Sequence, residues 1–245
     1  MNTLYIAWQD PQSRLWHTVG RLRREDNGYS FVYTQGALST PNFKYLGRML
    51  DLHRHYVSRE LFPLFANRVL SRSRPDYPDY VRWLGADPKK NNDPLELLAR
   101  SGGERATDEL CVYPDPQVNV EGFCELFFFS HGLRYLNEAE LQSLGNLKIG
   151  DRLSLVPEDG NIKDSFALRL ENGEAIKMGY CPRYLNKDLR EVLANTHIDV
   201  SVARLNLDAP AQFRLLCHAK FVLPAGITLF GGEEYLPLSP VAKAA

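Results

Sequence analysis

The chain has 245 residues, 44% of them hydrophobic and 24% charged, with a net charge of −1; this is the profile of a globular protein with room for one large domain or two small ones. Near-neutral charge excludes a long basic channel for nucleic acid, and no apolar run approaches the ~20 residues of a membrane-spanning helix. The charge is slightly uneven, with 16 Lys+Arg against 14 Asp+Glu up to residue 116 and 13 against 16 beyond it, so any nucleic-acid site in the second half has to be a local pocket.

The start, MNTLYIAWQD, lacks the basic-then-apolar pattern of a secretory signal, and the expected location is cytoplasmic. Residues 3–34 read as three short strands. LYIAW and Trp16–Leu22 alternate in polarity and are parted by the turn Asp10-Pro11. Asp26-Asn27-Gly28 signals a hairpin, and YSFVYT returns as the third strand. A helical part follows. Ser58 is placed to cap a helix with Leu61, Phe62, Phe65 and Val69 on one face, provided Pro63 lies in its first turn. A second helix fits Tyr77–Leu84, with Gly85 past its end. A third starts at Asp93 with Pro94 first and Glu96 completing a capping box, and Gly102-Gly103 ends it. Leu110–Tyr113 is a strand.

Pro114-Asp115-Pro116 is stiff and free of apolar period, and is taken as the boundary between domains 1–116 and 117–245. Beyond it the predicted strands are Phe123–Ser130, Arg152–Val156, Ser165–Leu170, Glu174–Tyr180, Val200–Leu205, Phe213–Val222 and Ile227–Phe230. Phe127-Phe128-Phe129 is expected in the core. Asn137 caps a predicted helix Glu138–Leu144, and Asn186 caps Lys187–Ala194. The tail VAKAA carries no signal and is expected to fray. The fold class is α+β, a small N-terminal sheet with helices followed by a small OB-like β-barrel with one or two helices.

Four stretches of the second half stand in a telling order: HGLRYL, the G-D-x-L-x-L at Gly150–Leu155, the N-x-x-D at Asn161–Asp164 and the G-Y-x-P-R at Gly179–Arg183. Over about Gly122 to Leu223 the chain resembles a HIRAN domain. That family has a small β-barrel related to OB-folds, and in Swi/Snf-type translocases it captures the 3′ end of single-stranded DNA. Leu4 to Tyr113 looks like the N-terminal subdomain of HipA-type kinases, through VGRL at Val19–Leu22, YSFVYT, LFPLFANRVL and DPLELLARSGG. The kinase core is absent. That resemblance implies a part that docks on a HipA-like kinase partner, as an antitoxin or adaptor would.

The HIRAN resemblance places Arg134 and Tyr135 at the family's Arg-Tyr pair, a donor fork for phosphate beside a ring for base stacking. It places Asp164 at the carboxylate that accepts from the 3′-hydroxyl. Asn161 bonds a base or braces the turn. Where the family has further aromatics this chain has Leu136 and Lys163; Lys163 adds a phosphate contact, and Tyr180, Arg183 and Tyr184 offer compensation. The bland alternatives stay open. Arg134 pairs with Asp151 or Asp164, Tyr135 is a core ring, Asn161 and Asp164 only make an Asx turn, and Lys163 and Arg183 are solvated charges. Arg68, Arg72 and Arg74 are either a solvated helix end or a basic patch for a partner.

No GxSxG, P-loop, HExxH or Cys–His nucleophile pattern occurs. Cys111, Cys124, Cys181 and Cys217 form no CxxC pair and no zinc spacing. The expectation is a non-catalytic binding module with reduced thiols, no metal and no cofactor, whose ligand is single-stranded DNA.

Overall fold

The computed structural model describes residues 3–89, 92–105 and 109–240; the tail 241–245, predicted to fray, lies outside the described residues. The chain divides into two units. Met1–Val81, Asp87–Asp115 and Phe230–Ala245 make the first, and Arg82–Ala86 with Pro116–Leu229 the second. The change of unit after Asp115 falls within Pro-Asp-Pro, and the second unit takes Arg82–Ala86 while the first takes the segment from Phe230. Among the described residues no helix is long and apolar enough to cross a membrane.

The first unit is an antiparallel sheet in the order β4-β3-β2-β1-β5, with β1 Thr3–Gln9, β2 Trp16–Glu25, β3 Gly28–Tyr33, β4 Tyr56–Ser58 and β5 Leu110–Pro114. Glu25 pairs with Gly28, so the two-residue turn is Asp26-Asn27, one position earlier than the Asn-Gly signal implies. The first five residues of β1 are buried without alternation, because this central strand is covered on both faces. One face carries Leu4 and Ile6 into a core with Leu22, Phe31, Phe65 and Leu98. On the other, Tyr5 meets Phe230 and Tyr235 edge to face, with ring centroids 5.7 and 5.1 Å away. Leu238 then donates its N–H to the Tyr33 carbonyl at 2.8 Å. Ile227–Phe230 is therefore not a strand: it is turn and extended chain, and Phe230 is buried against Tyr5 and Tyr113.

Four helices belong to the first part of the chain, α1 Gln35–Ser39, α2 Pro63–Ala66, α3 Tyr77–Trp83 and α4 Pro94–Ser101. Neither α1 nor β4 has a strong sequence signal. Ser58 is no helix cap: it lies on β4, and α2 begins only at Pro63 with Phe62 at the cap position. Proline has no N–H to donate and a preset φ, so it starts a helix more readily than it continues one. In α4 the Asp93 carboxylate accepts the Leu95 N–H at 3.0 Å, and Pro94 follows as expected. Glu96 turns instead to Arg100, 2.9 Å away, so the reciprocal half of the capping box is not made.

The second unit is one antiparallel sheet in the order β6-β11-β10-β7-β8-β9. Its strands are β6 Phe123–Phe129, β7 Arg152–Pro157, β8 Leu168–Glu171, β9 Lys177–Tyr180, β10 Asp199–Leu205 and β11 Leu215–Val222. The sheet curls. His131, just past β6, and Tyr180, ending β9, exchange both backbone hydrogen bonds at 2.9 Å, which brings the two edge strands together and leaves fewer open edges. In β6 the side chains of Cys124, Leu126 and Phe128 point inward, while Phe127 is half exposed and stacks on His218 at 4.5 Å. A run of three phenylalanines on a strand cannot all face one side.

Two helices accompany this sheet. α5, Glu138–Gly145, opens with a complete capping box between Asn137 and Glu140, as the sequence implies. α6, Arg183–Leu193, starts one turn earlier than expected, with Pro182 at its cap position. Asn186 is not a cap; it lies inside the helix with its side chain buried.

Candidate nucleic-acid interface

The site begins where β6 ends. Gly132 takes a left-handed φ of 77° and opens a 3₁₀ turn over Leu133–Tyr135. Leu133 and Leu136 are buried on either side of it, each worth roughly 1.5–3 kcal/mol as an anchor. Arg134 and Tyr135, held between the two anchors, project outward and are exposed. Leu136 is thus the inner anchor of the turn and offers no stacking surface. Gly179 backs the turn with a φ of 100°. A Cβ there would overlap Ser130 Oγ and the His131 carbonyl, and Ser130 Oγ itself donates to the Met178 carbonyl at 2.7 Å.

Facing this turn is the segment Glu158–Ala167. Asn161 Oδ1 accepts the N–H groups of Lys163 and Asp164 at 3.0 and 3.2 Å. Asp164 Oδ1 accepts the Phe166 N–H at 3.0 Å. These are Asx turns, which short polar side chains favour because they mimic a backbone turn. Glu158 ties the segment to the sheet, accepting from Asn161 Nδ2 at 2.6 Å, the Tyr180 hydroxyl at 3.0 Å and Arg169 at 3.0 Å. Burial alone would raise the Glu158 carboxyl, but the hydrogen bonds from Asn161, Tyr180 and Arg169 and the Arg169 charge outweigh it and hold it below its ordinary value.

The predicted site residues divide into two groups. Arg134, Tyr135 and Lys163 converge outward: the Tyr135 ring is 64% exposed, with Arg134 Cζ 4.8 Å and Lys163 Nζ 5.5 Å from its centroid. Tyr135 is therefore not a core ring. Among the described residues Arg134 pairs with neither Asp151 nor Asp164, and Asp151 instead accepts the Lys148 N–H. The other predicted residues are engaged inward. Asn161 braces its turn with both ends of its amide. Asp164 Oδ2 accepts from Asn186 Nδ2 at 2.7 Å, with Arg183 Nε 3.8 Å away. Arg183 donates to the Lys163 carbonyl at 2.6 Å. The Tyr180 hydroxyl serves Glu158, and Lys177 Nζ sits 4.4 Å from the Tyr180 ring. Tyr184 is half-buried in the first turn of α6.

In the first unit Arg68, Arg72 and Arg74, read as either a solvated helix end or a basic patch, each take a partner of their own. Arg68 is buried and donates to the Gly103 carbonyl at 2.8 Å. Arg72 donates to the Asn92 carbonyl and Arg74 pairs with Asp76. A guanidinium has five donors, and buried or turn carbonyls close by draw it in.

Glu158, Arg169, Asn186 and Arg190 were not legible as site residues. Arg190 donates to the Phe166 and Ala167 carbonyls at 2.9 and 2.8 Å and meets Asp159 at 2.5 Å. The available signal was Arg183, Asn186 and Arg190 at spacings of three and four, one stripe of a helix. All four cysteines are free and buried; burial pushes the Cys124 thiol up to about 11, away from nucleophile chemistry. Among the described residues no three His, Cys, Asp or Glu side chains stand together as a metal site would require.

An exposed, cation-flanked ring on a curled antiparallel sheet defines a small binding module. The family model of the HIRAN domain matches residues 123–225, and that stretch is a HIRAN domain. It resembles a protein from Lactobacillus plantarum at 21% identity, over 40% of this chain and 98% of that one, with a TM-score of 0.34. It also resembles the HIRAN domain of human HLTF at 19% identity, over 42% of this chain and 81% of that one, with a TM-score of 0.33. No curated protein matches the chain.

Proposed function

We propose that this protein is a non-catalytic nucleic-acid-binding protein whose HIRAN domain takes the 3′ end of single-stranded DNA. The observation that carries the reading is the exposed Tyr135 ring between Arg134 and Lys163, beside the turn that holds Asp164. Tyr135 stacks on a base, a contact worth ~1–3 kcal/mol. Arg134 and Lys163 meet the adjoining phosphates, Arg134 with the planar fork that suits them. Asp164, through the lone pairs that the Phe166 N–H and Asn186 leave over on its two oxygens, accepts from the terminal 3′-hydroxyl and repels a continuing phosphodiester, which favours an end over an interior stretch. Asn161 holds the turn and does not read a base.

Binding of short labelled oligonucleotides, with a 3′-hydroxyl or a 3′-phosphate and in single- or double-stranded form, tests this at two salt concentrations. Tighter binding of the free 3′-hydroxyl strand with a shallow salt slope is expected, because few phosphates are engaged. Equal affinity for both strand ends removes the end-capture reading, and no affinity for any strand removes the DNA reading altogether.

A further inference from the structure

The helix α6 buries the apolar side chains of Leu185, Leu189 and Val192. A second stripe is polar: Arg183, Asn186 and Arg190. Its three side chains all turn to the segment Glu158–Ala167. Arg183 takes the Lys163 carbonyl, Asn186 takes Asp164, and Arg190 takes the Phe166 and Ala167 carbonyls together with Asp159. Arg190 makes the most of these contacts and is the most shielded of the two arginines, with 19% of its side chain exposed against 37% for Arg183.

Resting on the reading of this site as the DNA site, we infer that Arg190 is a positioning residue for it. Arg190 holds the segment in the shape that presents Lys163 and Asp164 before any ligand arrives. The physical reason is preorganisation: a loop already ordered loses less entropy on binding. A guanidinium reaches three acceptors from one rigid plane, which an ammonium on a flexible stem does not. Asp159, whose side chain is 85% exposed, is the outer end of the clamp.

Hydrogen exchange of the segment's amides, measured alongside oligonucleotide affinity, tests the inference in Arg190→Ala, Arg190→Lys and Asp159→Ala. In Arg190→Ala the amides of Lys163, Asp164 and Phe166 exchange about tenfold faster or more while those of β6, β10 and β11 do not change. Affinity for a strand with a free 3′-hydroxyl falls by about tenfold. Arg190→Lys restores little of either, and Asp159→Ala shows a smaller change of the same kind. Unchanged exchange in the segment overturns the inference, as does full rescue of affinity by lysine, which reduces Arg190 to a charge. Exchange rising equally in every strand of Arg190→Ala, with Asp159→Ala silent, also overturns it. Wild-type protein that binds no oligonucleotide, with the segment still loosened in Arg190→Ala, keeps the clamp and overturns the DNA reading alone.

Discussion

The two units use arginine in opposite ways. In the first, Arg68 is buried on the Gly103 carbonyl, Arg24 pairs with Asp93 and Arg74 with Asp76, so these arginines serve the unit's own structure. In the second, Arg183 and Arg190 likewise serve a turn, but Arg134 is left outside with an exposed ring and a lysine beside it. The difference teaches that a basic side chain is left outward where the backbone near it is already satisfied. Around Arg134 it is: Tyr135 and Leu136 donate their N–H groups within the 3₁₀ turn, and His131 is paired with Tyr180.

The largest expected effect breaks the scaffold of the second unit. Gly179→Ala forces a Cβ into Ser130 and His131 at a left-handed φ, and should cost about 3 kcal/mol or more. Thermal or denaturant unfolding measures it, and a loss below about 1 kcal/mol contradicts the geometry described.

Next come the outward side chains. Arg134→Ala should weaken single-stranded DNA binding by ~1–3 kcal/mol without changing the melting temperature, because among the described residues its side chain makes no ion pair or hydrogen bond and lies outward over the Tyr135 ring. Arg74→Ala in the first unit serves as the contrast, with binding unaltered. Equal losses in the two variants would erase the distinction between the units. Asp93→Ala removes the carboxylate that accepts the Leu95 N–H and pairs with Arg24, and should cost about 1 kcal/mol of stability with no change in DNA affinity.

The smallest effect is acid sensitivity of the Glu158 network. The folded carboxyl lies below its ordinary value, so its contribution is present above the unfolded pKa and disappears as pH falls through the folded one. Loosening of the Glu158–Ala167 segment should therefore set in below about pH 4, and Glu158→Gln should remove that dependence. Exchange of the Lys163 and Asp164 amides across this range checks the sign; tightening on acidification would refute it.

Most strands of both units were legible as runs of alternating or aromatic residues, but β4 was not, and Ile227–Phe230 was read as a strand that the structure does not form. Helix starts were read well where a side-chain cap is made, as at Asn137 and Asp93, and badly where a proline marks the start without one, as at Pro63 and Pro182. The structure brings Arg134, Tyr135 and Lys163 together on the outside, as suits side chains that need no partner elsewhere in the chain. Asn161 and Asp164 hold the facing turn.

By itself the sequence determined the local pieces: most strand periods, the Asn137 start of α5 and the order of the four HIRAN-like stretches, with an Asx turn at Asn161 and Asp164 as one of two readings. These depend on residues within a few positions of one another. Only the tertiary structure decided that Arg68 is buried, that Phe230 returns to the first unit, and that Asn186 and Arg190 hold a segment more than twenty positions earlier. Each of those depends on which orphaned carbonyl, carboxylate or aromatic face lies nearby once the sheet has curled, and sequence spacing does not record it.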